Sequence, residues 1–384
     1  MLRKSVLATA CALFVAPAFA GTSDVLIGLD QKITYNANGQ VNGAPGNDAV
    51  LVMDISNPAH PRVRASLPLM NSLLGPPTNL QITRDGKLGL VANSVVHTQD
   101  GSNWKVTPDN KVFVIDLTAE PAKLVDTVTV GSQPSGLAIS RKGDLALVAN
   151  RAGKSVSVLS IANGKVTPLG DVPLEQEAAA VVIAPDGKRA FVAMNLANRI
   201  GVLNIDGQKV TYDKALDIPA GFNPYNIDST PDGRYVIASA TGGGKNNADM
   251  ETVIEAVGPH PHVVGVMAPG NGPEGVAIAP NGRTMAAALI LGSGAKDSDW
   301  FKTKNGELAI MSIGPGGIPV VTGRAPLGRL PEGIVFSPDS EYVYVGNYID
   351  KTLQVFRIAN GKPVQVGPPL VLPGQPASMR AVTR

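Results

Sequence analysis

The amino-acid sequence predicts an all-β fold, a seven-bladed β-propeller with four antiparallel strands in each blade. First, one phrase recurs along the chain at spacings of 44 to 58 residues, close to the roughly 40–50 residues of a propeller repeat. Second, in six of the copies a turn lies nine positions after the first residue, so each copy opens with a strand of one length. Third, 42 glycines, 31 prolines and strand-type alternation disfavour helices.

The recurring phrase is Pro-x-small-apolar-x-apolar-x-x-x-Gly, followed by an apolar strand. Its seven copies begin at Pro77, Pro134, Ala178, Pro224, Pro273, Pro331 and Pro376. Asp-Gly and Asn-Gly pairs at the turns supply the positive φ angles that tight hairpins need. Second strands are predicted at 88–93, 145–150, 189–195, 235–240, 284–289 and 342–347, third strands at 111–117, 155–161, 200–205 and 352–358, and a fourth strand at 122–130. The copy at Ala178 is degenerate, which leaves open a blade count that differs by one.

Both chain ends are predicted to complete the seventh blade. After Pro376 only one inner strand remains, whereas residues 24–29 and 49–55 read as strands that no inner strand precedes. Pairing these segments closes the ring and removes exposed sheet edges.

Residues 1–20 are predicted to be a secretory signal peptide, and residues 21–384 a single propeller domain. Two basic residues precede an apolar run at 6–15, and Ala-Phe-Ala at 18–20 is a small-x-small cleavage pattern. The run is shorter than the roughly 20 residues of a membrane span, which disfavours the alternative of a membrane anchor. Cleavage would remove Cys11, the only cysteine, so the mature periplasmic chain would have neither disulfide nor thiolate.

The mature chain is expected to be neutral, because the signal carries two of the 33 basic residues and none of the 31 acidic ones. A neutral chain lacks the basic footprint of nucleic-acid and membrane-surface binders. We therefore expect no nucleic acid partner, no membrane span, and a monomer that binds a small polar ligand.

The sixth copy carries two motifs typical of one family, Ser-Pro-Asp at 337–339 and Tyr-Val-Tyr-Val-Gly-Asn at 342–347. With them the chain resembles the YVTN-type propellers, grouped with the six-phosphogluconolactonase-like, or lactonase-type, propellers, over nearly all of residues 21–384. The resemblance implies hydrolysis of a sugar-type lactone such as gluconolactone. Cytosolic lactonases of that group have Pro-Arg-His and Asn-Glu patterns where this chain has Pro-Thr-Asn at 77–79 and Ala-Asn-Ser at 92–94. Their catalytic residues are therefore not carried over.

The inner strand of each blade is expected to line the central channel. Position three after the start of each copy is apolar in all seven copies, which suits packing between blades. Because side chains alternate along a strand, positions two and four should then face the channel. The polar residues at these positions are Asn79, Gln81, Asn226, Asp228, Ser378 and Arg380. All of them except Ser378 are predicted site residues.

Position one of three successive copies holds Tyr225, Glu274 and Glu332. Two carboxylates at close range split their pKa values, so that one can act as an acid and the other as a base. Strand parity points position one away from the channel, and the alternative is that each glutamate bonds nearby backbone amides.

Long connections between second and third strands are predicted at 94–110, 241–249 and 290–305. The two tryptophans, Trp104 and Trp300, fall in the first and third and are predicted to bind a sugar ring or other planar ligand. The alternative is that they pack under their own loops.

Histidine supplies two further candidates. His97 is the best candidate for a general base on the face of the ring that carries the long connections. The alternative is that His97 is a solvated loop residue. His260 and His262 could offer two metal ligands from an extended segment, but no third ligand is evident. We predict no cofactor and leave open a divalent metal in the channel.

Two functions follow from the sequence. The first is a periplasmic lactonase acting at the mouth of the channel, with His97, Glu274 and Glu332 in acid–base roles and Arg380 beside the developing oxyanion. The second is a non-catalytic cell-envelope scaffold that binds a protein, a polysaccharide or a small ligand.

Overall fold

Seven antiparallel sheets, each with a path of four strands, form a ring in the computed structural model, which describes residues 23–383. The predicted all-β fold and seven blades are confirmed. The predicted signal peptide at 1–20 lies outside the described residues. Helix in the described part is limited to two short 3-10 segments, Asn195–Ala197 and Lys214–Leu216. No helix among residues 23–383 is long and apolar enough to cross a membrane.

The strands in chain order are β1 (Asp24–Leu29), β2 (Ile33–Asn36), β3 (Gly39–Asn42), β4 (Ala49–Asp54), β5 (Arg62–Leu67), β6 (Leu80–Ile82), β7 (Leu88–Asp100), β8 (Asn103–Asp116), β9 (Lys123–Thr129), β10 (Pro134–Ile139), β11 (Leu145–Asn150), β12 (Ser155–Ala162), β13 (Lys165–Pro173), β14 (Ala180–Ile183), β15 (Arg189–Met194), β16 (Arg199–Asp206), β17 (Lys209–Tyr212), β18 (Ile218–Pro219), β19 (Pro224–Ser229), β20 (Tyr235–Ala240), β21 (Asp249–Glu255), β22 (His262–Gly270), β23 (Pro273–Ile278), β24 (Thr284–Leu289), β25 (Glu307–Ile313), β26 (Pro319–Pro326), β27 (Pro331–Phe336), β28 (Tyr342–Asn347), β29 (Thr352–Ala359), β30 (Lys362–Gln365), β31 (Leu370–Val371) and β32 (Pro376–Ala381).

Blades 1 to 6 follow the chain, with inner strands β6, β10, β14, β19, β23 and β27. The closing blade has the order β32-β1-β4-β5, so the C-terminal strand is its inner strand. Leu26 lies opposite Arg380, and Ile27 opposite Met379. Both chain ends therefore complete one blade, as predicted.

The hydrophobic core lies between neighbouring blades, where one sheet packs on the next. Every residue of the second strands β11 and β20 is buried, because sheets cover both faces of these strands. This double burial explains the continuous apolar runs that follow each turn in the sequence.

One predicted loop is wrong. Residues 94–110 do not form a loop, because β7 and β8 continue as a long hairpin that turns at Gly101, with φ of 61°. Positive φ at a glycine makes such a turn easy, so the alternation of the strands can continue past the edge of the blade. The connections at 241–249 and 290–305 are loops up to Asp249, where β21 begins, and up to Glu307, where β25 begins.

A bulge near the start of the inner strands changes which way their side chains point. The pairing register of β10, β19, β23 and β27 with their second strands shifts just after the first residue. A bulge inserts an extra residue and reverses the alternation beyond it. Side chains before and after the bulge therefore do not obey one parity.

The bulge also brings neighbouring inner strands into contact at position two. A Cβ on Gly275 would lie 2.0 Å from the Glu332 carbonyl oxygen, and one on Gly136 would lie 2.6 Å from the Cα of Ala180. Only glycine fits at these two positions, because the clash would be with backbone that cannot move aside.

Glu251 is a carboxyl group buried between blades. It lies on β21 with no exposed surface, at a register that Val156 and Leu308 occupy in other blades. Ser239 Oγ lies 2.5 Å from the Pro273 carbonyl oxygen and 3.1 Å from Glu251 Oε1, while Glu251 Oε2 has no partner. Since the carbonyl takes the hydroxyl proton, a protonated Glu251 can donate to Ser239. Burial raises the pKa of Glu251 to about 8.

We expect Glu251→Gln to stabilise the protein more at pH 8 than at pH 5. As pH rises from the unfolded pKa near 4.5 to about 8, the unfolded state releases a proton that the folded state keeps, so the parent loses stability across this window. The loss is on the order of 4 kcal/mol at 1.36 kcal/mol per pKa unit, and glutamine abolishes it. Thermal unfolding at both pH values measures the difference. Glu341→Gln, at an exposed glutamate, is the control, and an equal gain at both pH values would contradict the prediction.

Candidate functional site

A channel runs along the axis of the ring, and position four of every inner strand lines it. These residues are Gln81, Ala138, Val182, Asp228, Ala277, Val335 and Arg380. The sequence assigned this position correctly. The cavity has about 100 Å³ open to the centres of water molecules, several times the roughly 10–15 Å³ that one water needs. The channel can therefore hold water or a small ligand.

Gln81, Asp228 and Arg380 are the polar members of this ring of residues. Arg141, in a turn between first and second strands, lies at the same cavity. We call the region formed by these four residues the arginine end of the channel.

Position two does not face the channel, so the sequence-based assignment of Asn79 and Asn226 to the channel wall is wrong. Asn226 Nδ2 donates to the Glu274 carbonyl oxygen of the next blade at 3.1 Å. Asn79 Nδ2 donates to the Ala92 carbonyl oxygen at 2.7 Å, and Ser378 Oγ lies 3.3 Å from Asn71 Nδ2. The Asn226 bond thus ties one blade to the next, the Asn79 bond joins two strands of one blade, and Ser378 contacts the linker.

Position one forms a second group of polar side chains. Glu274 and Glu332 interact electrostatically with each other, and Arg151 with Glu274. The Arg151 guanidinium carbon lies 5.8 Å from the centre of the Tyr225 ring, and Tyr35 interacts with both carboxyls. These five residues come from four blades and the β2–β3 hairpin, so they meet near the axis. We call them the carboxylate end.

The two ends lie at different depths. Positions one and four are three residues apart, which is about 10 Å along a strand. The sequence placed the arginine and the glutamates at one opening, and the structure separates them along the axis.

Both glutamates of the carboxylate end have pKa values raised above the ordinary value of a glutamate. Burial raises the pKa of Glu274 to about 7, against the opposing charge of Arg151. Burial and the charge of Glu274 raise the pKa of Glu332 well above its ordinary value. Glu332 is 1% exposed and its Oε2 has no partner. Two such neighbouring carboxyls favour a state in which one keeps its proton while the other is ionised.

Arg151, Tyr35 and Gly75 belong to this end and were not predicted. Arg151 follows the second strand β11 directly, and the same place holds Ser94 in blade 1 and Ile290 in blade 5. In blades 1 to 6, Arg151 is the one charged residue at this place of the repeat, so the sequence did carry a signal for its role in the candidate site. Tyr35 and Gly75 lie outside the repeats, and no period points to them.

The β2–β3 hairpin and the linker at 68–79 cover the carboxylate end, and we call them together the cap. Tyr35 of the hairpin packs edge-on against Tyr348, with ring centres 6.1 Å apart. On the far side of the ring of blades, the backbone of Gly75 in the linker is hydrogen-bonded to the side chain of Tyr225. An apolar cluster of Ile33, Leu73, Leu330, Tyr348 and Ala377 seals the cap to the blades.

A buried ion cluster anchors the cap. Lys32 Nζ lies 2.7 Å from Asp48 Oδ2 and 3.2 Å from Asp30 Oδ1, and it also donates to the carbonyl oxygen of Asn71. Asp30 accepts the Leu73 backbone N–H at 2.8 Å. Burial raises the pKa of Asp30, and the charge of Lys32 opposes that rise.

His97 lies on β7 and is 4% exposed. Its Nδ1 is 2.9 Å from the Gly43 carbonyl oxygen, so Nδ1 carries the proton, and the buried Nε2 has no partner. The imidazole thus joins the long β7–β8 hairpin to the end of β3, instead of being a solvated loop residue. Its predicted general-base role stays a prediction.

The tryptophans occupy different environments. Trp104 is partly buried on β8. Trp300, in the loop at 290–305, is 80% exposed and contacts Phe301 edge-on at 5.6 Å. Their predicted ligand contacts stay predictions.

His260 and His262 lie at the start of an outer strand, β22, away from the channel. His262 Nδ1 is 3.1 Å from the His260 carbonyl oxygen, and its Nε2 is 4.0 Å from Glu255. Within residues 23–383, no group of three or more His, Cys, Asp or Glu side chains is placed to hold a metal ion.

Comparison with known proteins identifies the fold. No family model and no curated protein matches the sequence. The periplasmic gluconolactonase of Pseudomonas aeruginosa superposes with a TM-score of 0.65 at 18% identity, over 93% of this chain and 98% of that one. A candidate 6-phosphogluconolactonase of Bacteroides fragilis gives 0.69 at 16% identity, over 93% and 98%. Hydrazine synthase of Kuenenia stuttgartiensis gives 0.58 at 20% identity, over 75% and 78%.

These similarities define the class of protein by its fold, a seven-bladed β-propeller. At such identities they establish fold alone, and the named proteins differ in activity.

Proposed function

We propose that the protein is an exported, periplasmic lactonase that hydrolyses a sugar-type lactone at the carboxylate end. One observation carries the proposal: half-buried Glu274, whose pKa is near 7, and buried Glu332, whose pKa is raised well above its ordinary value, lie together beside Arg151 and Tyr225. The signal-like residues 1–20 and the structural likeness to a periplasmic gluconolactonase support the location and the substrate class.

The pair can supply both proton transfers of lactone hydrolysis. Ionised Glu274 takes a proton from water, whose oxygen adds to the lactone carbonyl carbon. The Arg151 guanidinium and the Tyr225 hydroxyl stabilise the negative oxygen that forms. Protonated Glu332 gives its proton to the ring oxygen as the C–O bond breaks, which leaves a hydroxy acid. In this proposal Arg151 takes the role that the sequence suggested for Arg380.

Substrate is expected to enter from the arginine end, because the cap covers the other mouth. The cavity is lined by Arg141 at its rim and by Thr78, a position-one residue. The cavity thus extends as far as Thr78, and in this proposal the substrate passes along it toward the carboxylates.

Proton release from δ-gluconolactone, measured above the spontaneous rate, tests the proposal. We expect acceleration by the parent protein, and parent-like acceleration by Glu341→Gln, whose side chain is exposed on a blade turn. Absence of acceleration by a folded parent protein removes the proposal for this substrate.

The second candidate is a non-catalytic envelope scaffold. Exposed apolar side chains in connections between strands favour it, with Trp300 at 80%, Leu196 at 63% and Phe222 at 59% exposure. Such residues suit a macromolecular partner. A parent protein that binds an envelope component but leaves the lactone untouched would favour this function.

A further inference from the structure

We propose that the arginine end is a second binding site, separate from the carboxylate end, for a small sugar acid, a polyhydroxy monocarboxylate. The inference of an anion site rests on residues that the hydrolytic step does not use. The choice of a sugar acid rests on the proposed function, because such an acid is the product class of lactone hydrolysis.

The Arg380 guanidinium lacks a bound carboxylate. Among residues 23–383 it makes no hydrogen bond or close ion pair, and its one electrostatic partner is Asp228. Both oxygens of Asp228 already accept backbone N–H groups, Oδ1 from Ser229 at 2.9 Å and Oδ2 from Ile278 at 2.8 Å. Arg380 therefore presents its planar guanidinium donors to the cavity. A guanidinium in this state can bind a carboxylate through two parallel hydrogen bonds.

Two neighbouring groups extend this set of donors. Gln81 Oε1 accepts the Ile139 backbone N–H at 2.8 Å, so the orientation of the amide is fixed and its NH₂ remains for a ligand. The buried Thr78 hydroxyl lines the same cavity and has no partner. Arg380 and Gln81 lie on adjacent inner strands, β32 and β6, so their donors are neighbours on one side of the channel, and the Thr78 hydroxyl lies further along the cavity, at position one.

The charges of the arginine end favour a singly charged ligand with hydroxyl groups. The charged residues at this cavity are Arg141, Arg380 and Asp228. Asp228 repels the second charge of phosphate, but a free lone pair of its carboxylate can accept a sugar hydroxyl. The remaining position-four residues are Ala138, Val182, Ala277 and Val335, whose short side chains leave room for a chain of carbons.

Calorimetric titration of gluconate into the full-length protein at pH 7 tests the inference, with glucitol and inorganic phosphate as parallel ligands. We expect saturable gluconate binding. Glucitol and phosphate should each bind more weakly by about tenfold or more, because glucitol lacks the carboxylate and phosphate lacks the hydroxylated carbon chain. Arg380→Gln should weaken gluconate binding at least about tenfold, because the bidentate, charge-assisted hydrogen bond between the guanidinium and the carboxylate is lost.

A matched variant and two controls make the test specific. Gln81→Glu keeps the acceptor for Ile139 but replaces the free NH₂ with a charge that repels gluconate, so it should weaken binding like Arg380→Gln. Arg357→Gln, at a 58% exposed side chain, should bind as the parent does, and thermal unfolding confirms that each variant is folded. Glu274→Gln should retain gluconate binding while it loses hydrolysis, which separates failure of this inference from failure of the proposed function.

Three results would overturn the inference. They are no saturable gluconate binding to the folded parent, binding unchanged in both Arg380→Gln and Gln81→Glu, or phosphate binding as tight as gluconate.

Discussion

Glu274→Gln is expected to lower kcat for lactone hydrolysis by about 10²–10⁴-fold, the usual contribution of a positioned general base. Glutamine keeps the size of the side chain but cannot take a proton from water. Because Glu274 is the group whose pKa is near 7, kcat/KM of the parent should rise as pH increases through about 7. Below that pH, Glu274 is protonated and cannot act as the base.

The measurement is initial rate against pH from 5.5 to 8.5, with spontaneous hydrolysis subtracted at each pH. The residual activity of Glu274→Gln should lose the rise near pH 7, whereas Glu341→Gln should keep it. Parent-like rates in Glu274→Gln, or a rise that persists in that variant, would assign the base to another group. His97, the base suggested by the sequence, would then be the next residue to substitute.

The ring of blades was predictable because its causes are periodic. Each blade repeats the same turn and the same buried second strand, so the sequence states the pattern seven times. Position four was also assigned correctly, since Gln81, Asp228 and Arg380 follow the apolar position three at a constant offset and all line the cavity.

The inner-strand bulge is the reason why position one was misplaced. Alternation from position three points position two into the channel and position one away from it. The register shift before position two takes position one out of this alternation, so Glu274 joins the axial cluster. A bulge depends on pairing with a neighbouring strand, and the periodicity of a single strand does not reveal it.

The cap could not be predicted from the repeats, for a different reason. It comes from segments that occur once, the β2–β3 hairpin and the linker at 68–79, and it is fixed by contacts between residues distant in sequence. Tyr348 Oη, for example, donates to the Ile33 carbonyl oxygen at 2.7 Å, across 315 positions. Such contacts follow from ring closure, so they can be derived only after the two ends of the chain are paired.

Lys32→Met is expected to destabilise the folded protein by about 3–5 kcal/mol, the usual result of removing one member of a buried ion cluster. Methionine fills the volume of the lysine stem but leaves Asp30 and Asp48 buried without their shared cation. The linker also loses the bond from Lys32 to the Asn71 carbonyl oxygen. For a chain of this length the thermal midpoint should fall by about 4–6 °C.

The loss should grow with pH above about 4. The pKa of Asp30 is already raised by burial, and Lys32 is the main group that opposes the rise. Without Lys32 the folded state holds protons that the unfolded state releases near its ordinary pKa of about 3.9, so stability falls as pH increases. Thermal unfolding at pH 4 and pH 7 measures this. Lys214→Met, which breaks an exposed pair with Glu175, should change stability by no more than about 0.5 kcal/mol.

Hydrogen exchange locates the damage. If Lys32 anchors the cap, exchange in Lys32→Met should accelerate first at 68–79 and in β2–β3, while second strands such as β11 remain protected. Acceleration spread evenly over all seven blades would mean that the cluster supports the whole ring rather than the cap. Because Gly75 of the linker contacts Tyr225, local loosening should also perturb the carboxylate end, and the same variant would then lose hydrolytic rate at temperatures where it is fully folded.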